Sequence, residues 1–262
     1  MVAVIIEVCI DSLESARAAV AGGADRLEVC ANLGVAGGTT PSLGLIKSLH
    51  QHFPSVPIMV MVRPRVGDFV YTSDELEVME NDILSFKTEG VAGIVLGVLT
   101  PDGLVDIEKT QRRETRYCGF KLEPILQAHF SIAVDMTRDG QQAVEAISKI
   151  PDVTRILTSG LQSTALEGVQ TIADMTTRST CSILPGSGVN ATTVDPILRV
   201  LWPLGIREVH MSGGERLESE THATARPEGM DMGGWKVWRT SESKVRAVRN
   251  AVDALALELG LS

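Results

Sequence analysis

The sequence predicts an α/β fold, a single (β/α)8 TIM-like barrel over residues 1–262, and three observations carry that prediction. Short runs rich in Val and Ile recur eight times along the 262 residues. Amphipathic stretches with helical spacing lie between many of them. No Gly-x-Gly-x-x-Gly follows the first run, which removes the most direct support for an open dinucleotide-binding sheet. A strand followed by a helix, repeated at intervals of roughly 20 to 40 residues, requires parallel strands joined by crossover helices. Eight such units in roughly 250 residues match a closed barrel better than an open sheet. No Pro/Ser-rich linker divides the chain.

The predicted strands are, in order, 4–10, 26–30, 57–63, 93–99, a weak and irregular fifth within 124–133, then 155–159, 182–185 and 208–212. Their near-continuous apolar character is what a strand covered on both faces demands. Between them, 12–22, 42–52, 73–90, 140–150, 166–178, 193–204 and 241–260 read as helices. Two segments exceed a minimal barrel. Residues 103–118 are polar and carry the run Lys109-Thr110-Gln111-Arg112-Arg113-Glu114, read as a solvated helix face in preference to a binding patch. Residues 213–240 form a long loop after strand eight, at the mouth of the barrel, where such loops are functional, make subunit contacts or are disordered. Its Trp235 and Trp238 are read as anchors of a homo-oligomer or as rings tucked back onto the barrel, the second being favoured.

Composition narrows the partners. With 24 basic and 33 acidic side chains the net charge is −9, which argues against nucleic acid or an anionic membrane as the partner. Whatever the chain binds is therefore expected at a local site rather than across its surface. The 44% hydrophobic content excludes disorder. The chain opens Met1-Val2-Ala3-Val4-Ile5-Ile6-Glu7 without a basic leader, and no apolar run approaches the roughly 18 residues of a membrane span. A soluble, cytoplasmic protein with reduced thiols is expected. Cys9, Cys30, Cys118 and Cys181 are scattered without C-x-x-C spacing, so a zinc knuckle and a thioredoxin motif are both excluded.

Charged residues inside strands locate the chemistry. An unpaired carboxylate under a packed helix costs several kcal/mol, so it belongs in the lumen near a strand end. The tripeptide Glu-Val-Cys occurs twice, as Glu7-Val8-Cys9 and Glu28-Val29-Cys30. If the valines pack outward, Glu7, Cys9, Glu28 and Cys30 project inward. Neighbouring strands lie about 4.8 Å apart, so Cys9 and Cys30 come within reach of a shared ligand unless barrel stagger offsets them. The alternative is that both are small buried hydrophobes. Strand three ends in Arg63-Pro64-Arg65-Val66-Gly67-Asp68, and Arg63 continues the Met59, Met61 face. Its guanidinium suits a carboxylate or phosphate, whereas an Arg–Asp pair pinning the loop explains the segment equally well. On strand eight, Glu208, His210 and Ser212 share a face, with His210 a proton carrier or a hydrogen-bonded lumen residue. Ser159, Gly186-Ser187-Gly188 and Ser212 end strands six to eight, where small residues let backbone N–H groups approach an anion; a plain tight turn is the alternative for Gly-Ser-Gly.

These segments together resemble the CutC copper-homeostasis family. The resemblance rests on Glu7 to Ser12, Gly22 to Cys30, Gly37 to Gly44, Arg63 to Phe69 and Leu157 to Gly160, and runs in order from the first strand to the final helix. It implies a TIM-like barrel, cytosolic copper handling, and Cu(I) bound by cysteines at the positions of Cys9 and Cys30, a soft-ligand role that fits thiolates. The chain departs from the family after the fifth strand. Anchored on Asp135 and Met136, Ser131 stands where the family has histidine and Ile132 where it has arginine, leaving His129 one rung lower. Val66 replaces a glycine. The second functional expectation, from a different class, is a barrel enzyme doing acid/base chemistry on a small phosphorylated or carboxylate substrate. In it Glu7, Glu28, Asp135 and His210 are the catalytic candidates, with Arg63, Arg65, Asp68, Ser159, Gly186, Ser187, Gly188 and Ser212 on the anion, and copper effects indirect.

Overall fold

In the computed structural model, residues 4–111, 127–218, 220 and 236–260 are described. Cys118, Trp235, the basic run from Arg112 onward and positions 124–126 of the predicted fifth strand lie outside them. Eight parallel strands form one sheet: β1 (Ile5–Ile10), β2 (Arg26–Val29), β3 (Ile58–Met61), β4 (Gly93–Leu96), β5 (Gln127–Phe130), β6 (Val153–Thr158), β7 (Ser182–Pro185) and β8 (Glu208–Met211). The order β7-β6-β5-β4-β3-β2-β1-β8 rolls them into a nearly closed TIM-like barrel. Between β7 and β8 the closure is made by side chains, with Ser182 Oγ donating to Glu208 Oε1 at 2.6 Å.

The helices are α1 (Leu13–Gly22), the short α2 (Leu33–Ala36), α3 (Leu43–His52), α4 (Ser73–Thr88), α5 (Gly140–Ile147), α6 (Val169–Arg178), α7 (Val194–Leu201) and α8 (Glu242–Glu258). Their starts are written in capping residues: Ser12 accepts from Ser15 N, Ser42 from Leu45 N, and Thr72 with Glu75 closes a capping box. Left-handed Gly23, at φ 100°, ends α1. No helix among the described residues is long and apolar enough to cross a membrane.

Three features differ from the sequence reading. The fifth strand stops at Phe130, because the Ser131 hydroxyl accepts from Ala133 N and starts a 3-10 turn over Ile132–Met136. Leu33–Ala36 fold into α2, too short to leave a periodic signal. The segment after β8 is not all loop: β9 (Gly214–Leu217) pairs antiparallel with β10 (Val237–Thr240). Trp238 is half-buried on that hairpin. A Cβ at Gly34 would meet its Cβ at 2.7 Å and one at Gly214 its ring at 2.3 Å, so Trp238 packs back onto the barrel.

The period of two sorts the strands. Ile6, Val8, Ile10, Leu27, Val29 and Val60 point outward into the apolar core beneath the helices. The other face fills the lumen, and Gly93 is cut to fit there. A Cβ at Gly93 would stand 2.2 Å from Met59 Cε and 2.5 Å from the Gln127 carbonyl oxygen. Gly93→Ala is expected to cost about 1–3 kcal/mol by overpacking. Urea unfolding checks this; an unchanged midpoint would contradict it.

Candidate metal centre

The lumen is organised in rungs set by strand register. On the lower rung, β1 and β2 place Glu7 opposite Arg26, and β8 places His210 opposite Glu7. The Arg26 guanidinium bridges Glu7 Oε2 and, at 2.8 Å, Glu208 Oε2. Arg155 Nε adds a second cation 2.8 Å from Glu208 Oε2. Arg26, Arg155, Glu7 and Glu208 thus share the lower lumen, and each carboxylate has at least two partners, the condition under which burying them is tolerable. Two consequences follow for protonation. Burial raises the Glu7 carboxyl, yet the hydrogen bond from His210 and the charge of Arg26 outweigh it and hold Glu7 well below the usual carboxylate range. Burial lowers His129, on β5, to about 4, so that ring is neutral. His129 stands on the rung of Arg155, its Nδ1 3.7 Å from Glu7 Oε2, one rung below Ser131.

One rung up, register places Cys9 opposite Glu28, and Cys30 comes one rung higher still. Barrel stagger therefore gives Cys9 a carboxylate for its immediate neighbour. Cys9 Sγ, a Glu28 oxygen and a His210 ring nitrogen all lie within 4.8 Å of one another, an arrangement able to hold a metal ion. His210 is oriented by Glu7: its Nδ1–H donates to Glu7 Oε1 at 2.8 Å, leaving Nε2 to face Glu28 Oε2 at 3.7 Å. A carboxylate behind the ring that fixes which nitrogen is presented is the arrangement that supports metal-ligating histidines. Arg26 in turn holds Glu7.

The electrostatics of this upper cluster are tense. Burial raises the Glu28 carboxyl to about 7, the charge of Glu7 adding to it against the pull of His210. Glu28 Oε1 is buried and has no hydrogen-bond partner. Burial would lower His210, but Glu28, Cys9 and Glu7 together hold it well above its ordinary value. Burial also pushes both thiols up and the Glu28 charge adds to each; Cys30 rises the further because His210 pulls only Cys9 back. Cys30 Sγ lies 3.7 Å from Glu28 Oε2, packed with Met59, Met61, Val95 and Leu33. One side of the lumen is therefore rich in sulfur.

Cys9, Glu28 and His210 form the floor of a cavity of about 760 Å³ that opens at the C-terminal ends of the strands; Ser187, Gly188 and Ser212 line its rim. Ser187 and Gly188 both adopt left-handed backbone, at φ 70° and 72°. Gly186 allows the wall to close, since a Cβ there would meet Leu157 at 2.5 Å and His210 at 3.4 Å.

The remaining candidates are placed elsewhere. Arg63 donates to the Gly38 and Gly67 carbonyls at 3.0 and 2.7 Å and lies over the Phe69 ring. Arg65 pairs with Glu75 at 2.5 Å and Asp68 at 3.0 Å. Both arginines brace the loop after β3, and Arg63 and Asp68 line a neighbouring cavity. Asp135 accepts from Thr158 Oγ1, Ser159 N and Leu161 N at 2.5, 2.8 and 3.0 Å, which commits it to shaping the loop after β6. Ser159 Oγ donates to the Gln162 carbonyl. Arg26 and Arg155, the counter-ions on which the centre depends, were not singled out from sequence. Their period-two spacing from Glu28 and Leu157 is the signal that finds them.

Comparison with known proteins gives a consistent result. The model of the CutC family matches residues 4–215. A protein of Photobacterium profundum described as a family protein CutC is 39% identical over 252 residues, 94% of this chain and 98% of that protein. The copper homeostasis protein cutC homolog of Dictyostelium discoideum is 35% identical over 257 residues, 87% of this chain and 88% of its own length. A crystal structure of the putative copper homeostasis protein CutC from Streptococcus agalactiae, 29% identical, superposes with a TM-score of 0.71 and covers 80% of this chain and 98% of that one.

Proposed function

The chain belongs to the CutC family, and on that premise we propose that it is a cytosolic copper-homeostasis protein that takes Cu(I) as cargo, binding it through cysteine thiolates at the barrel mouth. Cys9 supplies the thiolate that lines the cavity, His210 Nε2 a nitrogen donor beside it, and Cys30 a second thiol one rung above. The observation that carries this reading is the cluster of Cys9, Glu28 and His210 at the cavity floor, with Glu28 Oε1 buried and unpartnered. Its chemistry is right for the ion: thiolate and imidazole are soft or borderline donors, and the thioethers of Met59 and Met61 add polarizable neighbours. Binding must displace the proton on Cys9 and on His210 Nε2, and the Glu28 carboxylate offsets the arriving positive charge. Glu7 and Arg26 act behind the ring, holding it in orientation.

Competition of the protein with a Cu(I) chelator tests the reading. Cys9→Ala is expected to weaken Cu(I) by about 100-fold or more, and Cys30→Ala and His210→Ala by about tenfold each, ~1.4 kcal/mol. Equal affinity in all variants would overturn it.

A second reading is favoured by the Glu28 carboxyl standing at about 7 beside His210 on the cavity floor, a value suited to general acid–base work. In it the metal-free cavity binds a small phosphorylated or carboxylate substrate. Thermal stabilisation of metal-free protein by such compounds, abolished in Glu28→Gln, supports it; indifference to the whole panel removes it.

A further inference from the structure

The metal-binding cluster uses only the floor of its cavity, and the rest of that space calls for an occupant. About 760 Å³ is some 25 times a water molecule's share of about 30 Å³, and it falls in the roughly 300–1,000 Å³ range of sites for small organic ligands. The cavity is graded along its depth. Cys9 is the thiol on its floor, Leu157 and Val189 give apolar walls, and Ser187, Asn190 and Lys244 stand at the rim with hydrogen-bonding groups. Cys30, the other luminal thiol on this side, is fully buried one rung above, beside Glu28, and is not among the lining residues. A copper on the floor thus has Cys9 as its one cavity-lining thiolate, with Cys30 reaching it from within the wall, while the open side above has room for a further thiolate from outside.

Building on the copper reading, we propose that the cavity receives Cu(I) as a complex with a small organic thiol and keeps one of those thiols bound beside the metal. The Cys9 sulfur forms a bond to copper in a bis-thiolate carrier complex, and one copper–thiolate bond of the carrier breaks. The proton lost from Cys9 leaves on the departing thiolate as free thiol. Copper stays Cu(I), the charge on the complex is conserved, and no oxidant or reductant is involved. The retained thiol extends up the apolar walls, with its polar end at the rim.

Anaerobic loading with Cu(I) from an acetonitrile-stabilised salt, with and without glutathione, followed by desalting, native mass spectrometry and thiol quantitation, tests this. The expected result is one copper and one glutathione per chain when both are supplied, and copper alone otherwise. Ala191→Trp, on the exposed rim and outside the donor cluster, is expected to keep copper from the thiol-free salt while retaining about tenfold less glutathione. Copper without glutathione in the unsubstituted protein, or glutathione retained equally without copper, would overturn the inference and leave the copper reading standing. Copper from neither source would overturn both.

Discussion

Arg26→Met is expected to destabilise the protein by about 3–5 kcal/mol, a large share of the stability of a domain this size. The guanidinium is buried between Glu7 and Glu208, where its removal leaves charge without a counter-ion. Glu208 keeps Arg155 and Glu7 keeps His210, but the lumen then holds two carboxylates in place of a charge-balanced chain. The loss is electrostatic rather than steric if Glu208→Gln, added to Arg26→Met, recovers about half of it. Urea unfolding of the three proteins decides. A loss below about 1 kcal/mol would mean that the network contributes little. The same variant is expected to weaken metal binding by about 10- to 100-fold, because Glu7 loses the group that fixes it behind His210.

Glu28→Gln is expected to do the opposite, stabilising the protein by about 3 kcal/mol at about pH 8 and having almost no effect near about pH 4.5. In the unfolded chain this carboxyl titrates near 4.5; burial raises it to about 7 in the fold. Between those values the folded protein carries a proton that the unfolded chain has lost. Stability from this group is therefore complete below about pH 4.5 and is lost as the pH rises through 7. His210, raised above 6.5 chiefly by Glu28 against its own burial, acts in the same direction. The amide copies the neutral acid and removes the dependence. His129 has the other sign: it stays neutral in the fold down to about 4, against 6.5 unfolded, so its contribution is present above pH 6.5 and is lost as the pH falls. The two slopes oppose each other in the unsubstituted protein. Glu28→Gln should leave the His129 slope uncovered, with stability rising from about pH 5 to 6.5. Urea midpoints at half-unit pH steps measure this; a variant less stable at about pH 8 would contradict the buried, strained state of Glu28.

The barrel and the inward faces of its strands were legible because burial forces charged strand residues into the lumen, and Glu7, Glu28 and His210 obeyed that rule. The helix starts were legible in Ser12 and Ser42. What period alone does not encode is the offset between strands. Matching Glu-Val-Cys tripeptides suggest paired cysteines, yet the stagger that closes the barrel sets Cys9 beside Glu28 and raises Cys30 by one rung. The role of Arg26 was hidden for the same reason: its spacing of two from Glu28 marks it as inward-facing, but only register brings it opposite Glu7. Likewise the β9–β10 hairpin depends on Trp238 packing against Gly34, far away in sequence.

The most direct test of the central claim is a crystal structure of the Cu(I)-loaded protein with data collected on both sides of the copper absorption edge. The anomalous peak should lie at the cavity floor, bonded to Cys9 Sγ and His210 Nε2, and should vanish in Cys9→Ala. A peak outside the barrel mouth, or one undiminished in Cys9→Ala, would contradict it.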